Sequence, residues 1–324
     1  MIRVAIVGYG NLGRGVEKAI KKNSDMSLIG IFTRRKPETV SSEGSPVFPM
    51  AELMNKKEDI DVCILCGGSA TDLPEQTPKL TQWFNTVDSF DTHAKIPEHF
   101  LAVDKIAKEH QKTSIISVGW DPGLFSLNRL IAKSILPQGE TLTFWGKGVS
   151  QGHSDALRRV SGVADAVQYT IPNDEIIERL KAGEKLELTA RDKHVRECFV
   201  VLEEGADQEK IKNEIIEMPN YFSDYDTTVH FISQKTLESE HKQGMPHGGK
   251  VLRVGETSEG MKQVYDFSLD LQSNPEFTAS VIVAYARACV RLADEKVYGA
   301  QTVFDVAPKY LTQLSDDVLR KDYL

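Results

Sequence analysis

The run Ile2-Arg3-Val4-Ala5-Ile6-Val7-Gly8-Tyr9-Gly10-Asn11-Leu12-Gly13 decides how this chain is read. Its apolar first half has the character of a buried strand, and Leu12, Val16, Ala19 and Ile20 then recur at helical spacing. The glycines therefore sit on a strand-to-helix turn. In such a turn the first glycine permits the bend, the second lets the backbone approach a pyrophosphate, and the third lets helix and strand pack closely. The positive end of the helix faces the phosphates. A second strand, Leu28-Ile29-Gly30-Ile31-Phe32, runs into Thr33-Arg34-Arg35. An acidic residue at that point would hydrogen-bond the ribose hydroxyl of NAD. Two guanidiniums suit a phosphate instead, so the pair predicts NADP; the alternative is a solvated basic loop.

Strands and helices go on alternating from there. Val62 to Cys66 is an apolar strand ending in Gly67-Gly68-Ser69-Ala70-Thr71-Asp72, where small residues allow a cofactor to come close. Ala51 to Lys57 reads as a short helix and Gln82 to Asp88 as a strand that leads into Ser89-Phe90-Asp91. A helix opens at Pro97, and the strand Ser114 to Val118 closes on Gly119-Trp120-Asp121-Pro122-Gly123. The alternation predicts an α/β, Rossmann-like parallel sheet covered on both faces, with ligands bound beyond the carboxyl ends of the strands.

After about residue 125 the pattern changes. Asn128 to Leu136 reads as a helix, and Leu142 to Gly146 ends a strand. Alternating runs follow at Ala166 to Thr170, Val195 to Leu202, Thr227 to Ile232, Lys250 to Val254 and Gln263 to Leu271. Helices are expected at Asp174 to Ala182, Asp207 to Met218 and Phe277 to Ala293. This predicts a second, α+β domain with an antiparallel sheet and helices on one face. The expected division is residues 1–120, joined by 275–324, for the NADP-binding domain and 121–274 for the substrate domain.

Composition narrows the function. With 324 residues, 40% of them hydrophobic, the chain can bury a large core. A net charge of −8 and the lack of a Lys/Arg block argue against a nucleic-acid surface. There is no apolar stretch of membrane-spanning length, and the N-terminus is already a core strand, so a cytoplasmic protein is expected. Cys63 and Cys66 lie on one strand, where residues three apart point to opposite faces, so they are not expected to share a metal. No metal site is predicted.

Several residues could carry chemistry. Asp91 and Asp121 follow strand ends aimed at the nicotinamide, and oxidation at an amine-bearing carbon needs carboxylates to hold the ammonium and help remove its proton. Each could instead cap a helix. His247 lies in an irregular Gly- and Pro-flanked loop with little to pack on, which favours a function. His153 either orients a ligand or only begins a helix. For Arg196, a surface arginine is the default reading.

The segments Val4 to Gly13, Gly67 to Asp72, Val118 to Gly123, Ser150-Gln151-Gly152-His153-Ser154-Asp155-Ala156-Leu157-Arg158-Arg159 and Gly244-Met245-Pro246-His247-Gly248-Gly249 together strongly resemble the meso-diaminopimelate dehydrogenase family. The likeness runs in order from residue 2 to about residue 308; the two long later segments are its most specific parts, and the tail after Pro308 carries little of it. Side chains at Gly67, Gly68 and Phe90 depart from the pattern while the spacing is kept. The resemblance implies a homodimer that uses NADP to deaminate the D-centre of meso-diaminopimelate oxidatively, giving 2-amino-6-oxopimelate, which cyclises to tetrahydrodipicolinate, with ammonia and NADPH. It implies that residues 121–274 also serve dimerisation. On the cofactor it places Tyr9, Gly10, Asn11, Leu12, Thr33, Arg34, Arg35, Cys66, Gly67, Gly68, Ser69, Ser89, Phe90, Asp91, Asp121, Pro122, Gly123, Leu124 and Phe125. Around the substrate it places Asp91, Asp121, Trp145, Gln151, Gly152, Thr170, Arg196, His247 and Asn274, with Asp91 and Asp121 catalytic. Two other readings stay open: an NADP-linked reductase of a related cyclic imine, and an NADP-sensing regulator without chemistry.

Overall fold

The computed structural model describes residues 1–242 and 244–324 and divides into two compact units, residues 1–127 with 275–324 and residues 128–274. Residues 121–127 thus cluster with the first unit.

The first unit is built on one sheet. Its strands are β1 (Ile2–Val7), β2 (Met26–Thr33), β3 (Val47–Pro49), β4 (Val62–Leu65), β5 (Asn85–Asp88) and β6 (Thr113–Ile115), with Gly299–Gln301 at one edge. The order across the sheet is Gly299–Gln301, β6, β5, β4, β1, β2, β3, and every neighbouring pair is parallel. The chain order reverses at β1, the switch point at which such sheets bind ligands. Both faces are covered, which explains the unbroken apolar runs. Val4, Ile6, Val62 and Ile64 pack with the helix Asn274–Asp294 through Ile282 and Ala286, while Ala5, Val7, Cys63 and Leu65 enter a second core with Leu73 and Leu80. Cys63 belongs to that second core and Cys66 packs on the first, as their spacing along a strand requires. Arg287, on the long helix, is buried and clamps Asp25 at 2.6 and 2.8 Å and the Leu311 carbonyl at 2.7 Å.

Two local expectations change. The segment expected to begin a strand at Gln82 is still closing the helix Leu73–Thr81, with the Trp83 and Phe84 amides on the Leu80 carbonyl, so β5 starts only at Asn85. Prolines masked that helix: one lies in its first turn, where a missing N–H costs nothing, and Pro78 lies inside it. The helix expected over 51–57 is a pair of 3-10 segments, Met50–Glu52 and Met54–Asp59.

The second unit holds β7 (Gly139–Trp145), β8 (Gly148–Val149), β9 (Val163–Pro172), β10 (His194–Leu202), β11 (Asp226–Phe231), β12 (His247–Ser258) and β13 (Met261–Leu271). These form two sheets rather than the single antiparallel one expected, in the orders β11-β10-β9-β8 and β13-β12-β7. β11 runs parallel to β10 because the helix Gln208–Ile216 between them returns the chain to its starting end. The remaining pairs are antiparallel.

One buried carboxylate ties the glycine turn of the first unit to the loop at Glu43 and Ser45. Glu17, on the helix Asn11–Lys21, is fully buried and accepts hydrogen bonds from the Tyr9 hydroxyl, Ser45 Oγ at 2.6 Å, the Glu43 amide at 3.2 Å and Lys21 Nζ at 3.0 Å. Burial alone would push its carboxyl up, but the bonds from Ser45, Tyr9, Lys21 and the Glu43 amide outweigh that and hold it down to about 2, against an ordinary value of 4.5. A carboxyl lowered on folding adds stability above its unfolded value, and that stability is lost as the pH falls through the folded one. Glu17→Gln should therefore cost on the order of 2–3 kcal/mol at neutral pH. Thermal melts from pH 7 to pH 2 should show the gap to the unsubstituted protein constant above about pH 5 and closing below it; a gap independent of pH would mean that the charge is not what the network stabilises.

Candidate active site

The glycine-rich turn leaves β1 in the geometry its sequence predicts. Gly8 takes φ +92°, and a Cβ there would stand 3.2 Å from the Cys66 carbonyl. On Gly13 a Cβ would overlap the Gly8 carbonyl oxygen at 2.4 Å, whereas on Gly10 it would meet nothing within 4 Å. The first glycine bends, the third packs and the second faces open space, which is the cradle a pyrophosphate requires. The helix Asn11–Lys21 begins there without a side-chain cap, so its first-turn amides suit an anion.

Of the two arginines after β2, Arg35 reaches this turn and Arg34 reaches the loop after β4. Arg35 donates through Nη2 to the Tyr9 carbonyl, and its amide donates to Thr33 Oγ1 at 3.1 Å. Arg34, its side chain 73% exposed, pairs with Asp72 at 2.8 Å. Asp72 also accepts from the Gly68 amide at 2.9 Å; that bond first, then Arg34, holds its carboxyl below the usual range against the opposing effect of burial. Residues from the ends of β1, β2 and β4 thus meet in one place. Ser69 Oγ accepts from the Asp91 amide at 2.8 Å, which ties the loop after β4 to the loop after β5. Asp91 is exposed and Asp121 half-buried, the latter on the loop that leaves β6.

Some residues expected on the cofactor turn their side chains inward. Tyr9 is buried with its hydroxyl on Glu17, Phe90 stacks on His99 at 4.2 Å, and Phe125 meets Trp120 edge-on at 5.1 Å. What these three offer a ligand is backbone. Cys66 gives its amide to the Val7 carbonyl at 2.8 Å, and the Gly123 amide donates to Ser126 Oγ at 3.2 Å.

In the second unit, strand register assembles a separate group. Gly148, Thr170, Arg196 and Thr227 lie directly opposite one another on β8, β9, β10 and β11, and opposed residues share a face of the sheet. Arg196 Nη1 donates to Thr170 Oγ1, and its guanidinium carbon lies 3.9 Å from the Tyr225 ring centroid. A Cβ on Gly148 would come within 2.6 Å of the His247 ring, so glycine is what admits that ring beside the row. The Val149 amide donates to the Pro246 carbonyl and the Asn274 amide to the Met245 carbonyl, at 2.9 and 2.8 Å, which fixes the His247 loop and Asn274 at the same end. Trp145 ends β7 opposite Gly249 of β12; its amide donates to His194 Nε2 at 2.9 Å and its ring stacks on His194 at 5.7 Å. Gly152 lies in the first turn of the helix Gln151–Arg158 with nothing within 4 Å of a Cβ position. The side chain of Gln151 lies outside the described residues.

Arg196 is not the surface residue its flanking sequence suggests. It is 6% exposed, its Nε is buried without a hydrogen-bond partner, and among the described residues no carboxylate lies within ion-pair distance. Burial lowers the pKa of its guanidinium, while the Tyr225 contact works against that. Burial first, and then the Arg196 charge, push both His153 and His194 down to about 4. The imidazoles are thus neutral at pH 7, and Arg196 supplies the positive charge. His153 donates or accepts at Ser150 Oγ, 2.7 Å away, and packs edge-on to Tyr221 and Phe222. Tyr225 and His194 were missed in the sequence because their partners lie on other strands. Among the described residues no group of three or more His, Cys, Asp or Glu could hold a metal ion, and no helix is long and apolar enough to cross a membrane.

Comparison with known proteins agrees over the whole chain. Residues 119–273 match the family described as diaminopimelic acid dehydrogenase C-terminal domain. The meso-diaminopimelate D-dehydrogenase of Ureibacillus thermosphaericus is 60% identical, covering 100% of this chain and 99% of its own. The solved diaminopimelate dehydrogenase of C. glutamicum in complex with DAP is 48% identical with a TM-score of 0.90, covering 99% of each chain. An engineered D-amino acid dehydrogenase bound to NADP+ is 46% identical with a TM-score of 0.84, again over 99% of each chain. By identity over its full length, this chain, with its open glycine cradle and buried guanidinium, belongs to the meso-diaminopimelate D-dehydrogenase family.

Proposed function

We propose that this protein oxidatively deaminates the D-centre of meso-diaminopimelate with NADP, releasing ammonia and NADPH and leaving 2-amino-6-oxopimelate, which cyclises to tetrahydrodipicolinate in the synthesis of lysine and diaminopimelate. The observation that carries this reading is Arg196, a buried cation with no acidic partner among the described residues. An uncompensated buried charge is costly, and a carboxylate from outside the chain removes that cost. A diacid has one carboxylate to give to Arg196 and a reacting centre at its other end.

The turn from Gly8 to Leu12, with Thr33, Arg34, Arg35, Cys66 to Ser69, Ser89, Phe90 and residues 121 to 125, would hold NADP, which supplies the hydride acceptor when bound. Arg196, Thr170 and His247 take the distal carboxylate, the planar guanidinium matching it through paired donors. Gln151, Gly152 and Asn274 line the distal end and Trp145 walls it. Asp91 and Asp121 hold the reacting ammonium; its proton leaves to one of them or to a water that one holds. As the D-carbon gives up its hydrogen with the bonding pair, the C–N bond becomes an imine. Water adds to that carbon and ammonia departs. Holding the carbon still is the main contribution of these residues to the rate.

We also read the enzyme as a cytoplasmic homodimer. Leu130, Ile131, Ile135, Met261 and Val264 of the second unit are exposed apolar side chains of the kind a second copy covers. Sedimentation should give a species of twice the chain mass; a monomer at micromolar concentration would end that reading.

Replacing Arg34 and Arg35 with serine should weaken NADP by about 1–3 kcal/mol, as expected for lost charge-assisted hydrogen bonds, and leave NAD almost unchanged. Calorimetric titration of both cofactors measures this, and an equal loss for both would remove the phosphate assignment. With NADP, turnover should occur with the meso isomer of diaminopimelate and not with the LL isomer. Arg196→Ala should lower kcat/KM for the meso isomer at least about tenfold with NADP affinity kept; parallel loss of both would point to damage to the fold instead.

A further inference from the structure

Asp91 and Asp121 sit on loops that leave different strands, and one buried side chain ties those loops together. Asp88, the last residue of β5, is fully buried. Its Oδ1 accepts from the Phe90 amide at 3.0 Å and from the Ser117 amide at 2.9 Å. Its Oδ2 accepts from Thr77 Oγ1 and from His99 Nε2, both at 2.8 Å. Its main-chain oxygen takes the Val118 amide at 2.9 Å. Phe90 precedes Asp91, and Ser117 and Val118 lead into Gly119-Trp120-Asp121.

Two details show that this carboxylate imposes a geometry on the loops. Ser117 has φ +57°, a left-handed conformation that a residue with a side chain disfavours, and its own buried hydroxyl has no partner. Such a backbone persists only where its surroundings over-determine it, and Asp88 holds the Ser117 amide. On the other side His99 is buried, bonded to Oδ2 through Nε2 and stacked 4.2 Å from the Phe90 ring, so Asp88 and the ring beside Asp91 are fixed by the same imidazole. Four donors on two oxygens leave the carboxylate little freedom to tilt.

We propose that Asp88, braced by His99, is the positioning residue that sets Asp91 and Asp121 in register for the reaction. The proposal rests on the assignment of those two aspartates to the reacting amine. It predicts a divided effect: the strand-end loops after β5 and β6 lose their geometry when Asp88 is changed, while the glycine turn and the arginines after β2, which touch neither Asp88 nor His99, keep theirs.

The test uses the full chain. Asp88→Leu keeps the shape and removes both acceptors; it should lower kcat at least about tenfold, the scale expected for a displaced reacting group. Affinity for adenosine 2′,5′-bisphosphate, which reads only the arginine end, should stay within twofold. Asp88→Asn, which retains one acceptor oxygen for the two amides, should recover most of the activity. Should Asp88→Leu not fold, His99→Leu decides, with a threefold or greater fall in kcat and His99→Gln as its rescue. Amide exchange should quicken over residues 89–91 and 117–121 and stay unchanged over residues 8–13. Unchanged kcat in the folded leucine variants, or bisphosphate affinity falling in step with kcat, overturns the proposal. Asp91→Asn and Asp121→Asn run beside them separate the two readings. Full activity in both removes the aspartate assignment and the proposal with it, whereas loss in both with full activity in Asp88→Leu removes the proposal alone.

Discussion

Seven strands that all run the same way oblige every loop at a carboxyl end to emerge on one edge of the sheet. The grouping of candidate cofactor residues in the first unit follows from that constraint. The glycine turn after β1, the arginines after β2, the small residues after β4 and the aspartates beyond β5 and β6 are far apart in the chain and neighbours at that edge. No single loop builds the site, so its accuracy depends on how the loops are tied to one another.

Those ties are buried polar groups whose hydrogen bonds are completed within the chain. Glu17 and Asp88 are both fully buried, and each has its oxygens filled by donors from the chain itself. Such groups cost little once satisfied and hold segments firmly, because losing one partner leaves a charge in a place water does not reach. Arg196 is the opposite case. It has a threonine hydroxyl and an aromatic face but, among the described residues, no carboxylate, and one of its nitrogens is unpartnered. A chain that left this arginine without an anion would carry a standing penalty, and that penalty is what supports the carboxylate-binding role proposed for it.

The second unit positions its residues by register instead. Thr170 and Arg196 meet because β9 and β10 pair antiparallel at that point, and Gly148 joins the row through β8. A shift of one residue in either pairing would send these side chains to the other face. The shortness of β8 and its glycine then leave room for the His247 ring.

What could be read from residues alone was whatever depends on neighbours in the chain. The first strand, the glycine turn and the helix after it announce themselves through local periodicity and through the one residue type that tolerates their backbone. The pair Arg34-Arg35 is legible for the same reason, since its place after β2 is set by a few residues of sequence. Tertiary structure decided everything that rests on a partner far along the chain. Tyr9 and Phe90, which the resemblance places on the cofactor, have core side chains and only backbone to offer, and Glu17 and Asp88, which nothing in the sequence singles out, are buried hubs. The parallel course of β11, the helix hidden behind its prolines and the burial of Arg196 over Tyr225 belong to the same class. Local pattern reports the conformation a segment prefers, whereas burial, register and the completion of hydrogen bonds are properties of the packed molecule, and they exist only once distant segments have met.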